Sequence, residues 1–99
     1  MIKWKNKKSE DLFEAILKLK TVDEAANFMR DLLTEKEIEE FSSRFEVAKE
    51  LDKGKPQRQV ATEAGVSIAT VTRVNRFLKN GMDGYRLILD RLNSHHHSH

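Results

Sequence analysis

Apolar residues recur along the chain at intervals of three and four, the spacing of a helix face, and no stretch alternates as a strand would. The pattern predicts an all-α protein of six helices. Leu12, Phe13, Ile16 and Leu17 mark a first helix over 10–20, capped by Ser9. Residues 1–8, with four lysines around Trp4, are expected to form a flexible basic arm. Thr21 with Glu24, and Thr34 with Glu37, have the spacing of capping boxes. They divide a second helix, 22–33, from a third that starts at Glu35 and presents Ile38, Phe41, Phe45, Ala48 and Leu51 on one side. Gly54 is placed to end it in the left-handed conformation.

Pro56 can open a fourth helix over 57–64, and Gly65, Val66 and Ser67 separate it from a fifth over 68–79. Asn80 and Gly81 close that helix. A sixth, over 84–92 with Asp83 as cap, is expected to turn Tyr85, Ile88, Leu89 and Leu92 inward. The His-rich tail, 93–99, lacks periodicity and is expected to be disordered. One domain, 9–92, is anticipated.

Composition narrows the class. At 99 residues with 38% hydrophobic content the core must be thin, so burial through a homodimer is expected. The chain has no cysteine, which excludes disulfides and thiolate chemistry. No apolar run nears the ~20 residues of a membrane span, and the first residues lack the apolar stretch of a signal peptide. A cytoplasmic protein without membrane association is expected. No histidine precedes the tail, and no carboxylate pair or glycine-rich loop stands out; Glu35, Glu37, Glu39 and Glu40 read as a helix start and a solvated face. No enzyme, cofactor or metal site is expected.

The net charge of +2 matters less than its placement. Between Lys55 and Gly81 five basic residues face one acid, Glu63, a local excess suited to phosphates.

The same segment reads as a helix-turn-helix. Ala61 supplies the small side chain where two helices approach, and Gly65 the positive φ of a tight turn. Val60, Val66, Val71 and Val74 fill the wedge, and Ser67 caps the second helix. Ile68, Ala69 and Thr72 then project near the end that enters a major groove, where short side chains permit close approach and methyls meet thymine methyls. Thr70 adds a methyl and a hydroxyl. Arg73, Arg76 and Lys79 give longer arms, and Gln57 and Arg58 reach backbone or base edges from the preceding helix. Together with Ser67 these are the candidate DNA-binding residues.

Leu33-Thr34, Glu37, Ser43-Arg44, Glu50-Leu51, Gly54, Gln57-Arg58 and the string from Ile68 to Arg73 resemble the Trp-repressor-like family, closest to its YerC/YecD type. The latter shares the stretch Ser43 to Ala48, Arg73-Val74 and Asp90-Arg91. The resemblance implies a six-helix fold and an intertwined homodimer whose two reading heads sit about 34 Å apart. It also implies that Thr34, Arg44, Thr70 and Arg73 occupy the family's tryptophan-binding positions. Val74 and Phe77 depart from it, putting apolar bulk where the family has glycine and a small hydroxyl residue. An ammonium buried there without acceptors would cost about 1–3 kcal/mol, and the pocket is expected to be filled from within.

The expected function is a homodimeric, sequence-specific transcriptional regulator, a repressor, acting on a double-stranded DNA operator without tryptophan as corepressor. Two alternatives use the same residues: a protein-interaction module that leaves DNA alone, and a repressor answering to an amino-acid-like effector. A neutral or acidic surface over 68–79 would favour the interaction module.

Overall fold

The computed structural model describes residues 3–97. Six helices follow one another: α1 Lys7–Ile16, α2 Val22–Leu32, α3 Glu35–Asp52, α4 Gln57–Ala64, α5 Ile68–Asn80 and α6 Gly84–His97. No strand occurs among the described residues. None of these helices is long and apolar enough to cross a membrane. The chain divides into two compact units, Met1–Ile38 and Glu39–His99.

In the first unit, α1 begins earlier than Ser9. Asn6 is the cap: its side-chain oxygen accepts from the Ser9 amide at 3.0 Å, and the Ser9 hydroxyl accepts from the Asn6 amide at 2.9 Å. This reciprocal box satisfies two amides and draws Lys7 and Lys8 into the helix. The Asn6 side-chain nitrogen donates to the Lys3 carbonyl, and the Trp4 ring meets Phe13 edge-on with centroids 6.3 Å apart. The arm expected over 1–8 is therefore structured from Lys3 onward, with Met1 and Ile2 outside the described residues. α1 ends at Ile16, short of the expected 20, because the Lys18 and Leu19 amides bond back three residues in a tight turn. Thr21 caps α2 as its spacing predicts, while Glu24 accepts from the Lys20 amide rather than from Thr21. At α3 the box closes as predicted, with Thr34 and Glu37 exchanging bonds of 2.9 and 3.1 Å. Neither α1 nor α2 buries a residue.

The second unit holds the core. Val47 and Ala48 of α3, Val60 of α4, Val71 and Val74 of α5, and Leu89 of α6 are buried together. Phe45, Leu51, Ala61, Ala64, Val66, Leu78 and Tyr85 pack around them. Ile88 and Leu92, expected to face inward, remain exposed, since only the side of α6 bearing Tyr85 and Leu89 meets this core. Asp83 opens the last turn at φ 65, a left-handed conformation that a short polar residue tolerates. α6 passes Leu92 and continues to His97, so residues 93–97 of the expected disordered tail are helical. No glycine or proline interrupts the run, and Asn93 is anchored to Asp52. Ser98 and His99 lie outside the described residues.

Gly65 ends α4 at φ 69, ψ 32, with nothing within 4 Å of the place a Cβ would take. Gly65→Ala should therefore lower stability by backbone strain alone, about 1–2 kcal/mol, with Gly65→Asn losing less. Urea unfolding midpoints measure this, and equal midpoints for wild type and the alanine variant would contradict it.

Candidate nucleic-acid interface

Local rules set the turn between α4 and α5. The Val66 amide bonds the Ala61 carbonyl at 3.1 Å, which closes α4 over its left-handed glycine. Ser67 then caps α5 by accepting from the Thr70 amide at 3.1 Å, and its hydroxyl pairs with that of Thr70 at 3.0 Å. Ser67 is thereby committed to capping. Thr70 is half-buried, whereas Ile68, Ala69, Thr72, Arg73, Arg76 and Lys79 are exposed along α5. From α4, Arg58 is exposed and Gln57 half-buried. α5 carries no acidic residue.

Two features of this face went unread in the sequence, the first at the i,i+4 spacing of helical neighbours and the second between helices. Phe77 stands 46% exposed between two guanidiniums, with Arg73 5.9 Å and Arg76 5.6 Å from its ring centroid. The ring's negative face attracts both cations and limits where they swing. In addition, the Thr72 hydroxyl donates to the Gln57 side-chain oxygen at 3.3 Å, bridging the two helices.

Behind the face lies a cleft of about 360 Å³ lined by Glu39, Glu40, Ser43, Arg44, Gly65, Val66, Thr70 and Arg73. Arg44, Thr70 and Arg73 thus come together as expected. Thr34 belongs to the first unit, where its hydroxyl caps α3. The cleft is not filled from within. Val74 is buried in the valine core, and Phe77 is held outside by Arg73 and Arg76. Arg44 lies over the Phe41 ring at 5.0 Å, and neither Arg44 nor Arg73 forms an ion pair among the described residues.

A set of ion pairs fastens the connector between α3 and α4. Lys55 Nζ lies 2.6 Å from Glu50 and 2.9 Å from Glu63, and Lys53 adds a bond of 2.9 Å to Glu50. Glu63 also accepts from Gln59 at 2.9 Å. Hydrogen bonds from Lys55, then Lys53, hold the Glu50 carboxyl down at about 2. Bonds from Gln59 and Lys55 lower Glu63, and Glu50 and Glu63 together push the Lys55 ammonium up. Lys55, counted in the basic excess, is thus neutralised internally. The exposed cations left on this head are Arg58, Arg73, Arg76 and Lys79. At the other end, Arg86 of α6 reaches Asp52 of α3 at 2.8 Å and Asp90 at 3.0 Å.

Six helices with a helix-turn-helix at the fourth and fifth, set on a buried valine cluster, define an all-α helix-turn-helix protein. The chain matches the Trp repressor protein family over residues 7–93, and it belongs to that family. It is 41% identical over 90 residues to the uncharacterised protein YerC of Bacillus subtilis, covering 91% of this chain and 86% of YerC. Its fold is similar to that of a TrpR-like protein from Eubacterium eligens, with a TM-score of 0.87 and 46% identity, over 92% of this chain and 94% of that one. A Trp repressor candidate from Staphylococcus aureus gives a TM-score of 0.86 and 41% identity, over 92% and 91% of the two chains.

The depressed Glu50 carboxyl has a consequence for stability. A group that is more acidic when folded adds stability above its unfolded pKa and loses it as pH falls through the folded one. Stability should therefore drop as pH falls from about 4.5 to about 2 as Glu50 takes up its proton, and Glu50→Gln should flatten that slope. Chemical unfolding at stepped pH measures it; identical slopes in the two proteins would refute the assignment.

Proposed function

We propose that this protein is a sequence-specific DNA-binding transcriptional regulator, a repressor, acting as a homodimer on a duplex operator of two-fold symmetry. The observation that carries the reading is α5, which exposes Ile68, Ala69 and Thr72 toward its N-terminal end and Arg73, Arg76 and Lys79 beyond them. Short side chains allow close approach to base edges, while the cations meet phosphates. An acid-free face of this kind disfavours the interaction module. Membership of the Trp repressor family supports the same reading.

The dimer is supported by the first unit. No residue of α1 or α2 is fully buried, and Leu17, just past α1, and Val22, which opens α2, are 82% and 84% exposed. Large apolar side chains exposed to this degree fit a surface that a partner covers. Action without tryptophan is supported by Val74, which puts apolar bulk where the resemblance expects glycine and packs into the valine core.

A second reading is favoured by the cleft. Two guanidiniums without carboxylate partners among the described residues, in a cleft also lined by Glu39 and Glu40, suit the carboxylate and ammonium of an amino-acid-like effector.

DNA binding should weaken steeply with salt, because each neutralised phosphate releases counterions. Between roughly 50 and 200 mM salt, affinity for duplex DNA is expected to fall about a hundredfold or more. Arg76→Glu should weaken it further, and affinity insensitive to both changes would contradict the reading. Adding tryptophan should leave affinity unchanged; a severalfold rise would favour the effector reading. Sedimentation equilibrium should give twice the monomer mass, and a monomer at micromolar concentration would contradict the dimer.

A further inference from the structure

Gln57 is the first residue of α4, and Thr72 lies in the second turn of α5, fifteen positions along the chain. The 3.3 Å bond from the Thr72 hydroxyl to the Gln57 oxygen is the side-chain hydrogen bond that joins the two helices among the described residues. It has a chemical consequence for Gln57. A free glutamine amide offers an acceptor beside two donors, the combination that matches the N7 acceptor and N6 donor of adenine. Here Thr72 takes up one lone pair of the oxygen, and the two amide N–H donors have no partner among the described residues.

A unit that presents donors fits guanine, whose major-groove edge carries two acceptors, N7 and O6. It fits adenine poorly, because the N6 amino group would then face a donor, and a donor left unmatched in an interface is costly. The bond holds Gln57 against the exposed Thr72 of α5, on a side of the head where Asn75 and Lys79 line a cleft with Gln57. We propose that Gln57 and Thr72 act as one reading unit that selects guanine at one position in each half-site. This inference rests on the DNA-binding reading above.

Selection from random duplex DNA tests it, using wild type, Thr72→Val, Thr72→Ser, Gln57→Ala and the double variant Gln57→Ala with Thr72→Val. Wild type should enrich guanine at a symmetric pair of positions. Thr72→Val frees the Gln57 oxygen, and the guanine-to-adenine ratio there should fall about tenfold. Thr72→Ser keeps the donor and should restore guanine. In the Gln57→Ala background, Thr72→Val should no longer change that position, which separates the pair from any direct contact made by the new valine. An unchanged guanine preference in Thr72→Val would overturn the pair alone. A uniform loss of affinity across all sequences would also overturn it, by assigning Gln57 to phosphate. If wild type enriches no sequence at all, the DNA-reading function fails and the pair falls with it.

Discussion

The helix-turn-helix depends on close contact between short, β-branched side chains. Val60 of α4 and Val71 and Val74 of α5 meet Val47 and Ala48 of α3, and all five are at most 2% exposed. Valine has one strongly preferred rotamer in a helix, so this cluster sets helix spacing and rotation with little slack. With Val71 and Val74 fixed inward, Ile68, Ala69, Thr72, Arg73 and Arg76 are turned outward by the helical period alone. The core consists of few residues, and each methyl group in it carries a correspondingly large share of the head's stability.

Polar interactions tune what the valines hold. Lys55 joins the end of α3 to α4 through Glu50 and Glu63, and in doing so cancels negative charge next to a face that is otherwise basic. Arg86 ties α6 to the same end of α3. Phe77 steadies Arg73 and Arg76, and Thr72 orients Gln57. The cations on this surface therefore differ in role: Lys55 is paired internally, Arg73 and Arg76 are guided by an aromatic ring, and Arg58 and Lys79 stay exposed.

Most of the helix-turn-helix was legible in the sequence because its determinants are local. Gly65 takes the left-handed turn, Ser67 caps α5, and both fall at their expected positions. Thr34 and Glu37 closed the box their spacing predicts. The misreadings share another cause. Asn6 and Ser9 are both good caps, and only the reciprocal bond between them decides where α1 starts. The exposure of Ile88 and Leu92 depends on what α6 packs against, which periodicity does not reveal. Phe77 was expected in a pocket because the resemblance put it there, whereas Arg73 and Arg76 lie against its ring on the exposed face. The Lys55 pairs and the Gln57–Thr72 bond link residues from different elements, and no spacing rule anticipates them.

Under the proposed function, the exposed face of α5 and the start of α4 form a DNA-reading surface. Amide chemical shifts recorded while a generic duplex is titrated in at low salt test it most directly, since phosphate contacts alone support such binding. The largest changes are expected at Gln57, Arg58 and residues 67–79, with α1 and α2 little affected. Changes concentrated on α1 and α2, with α5 silent, would contradict it.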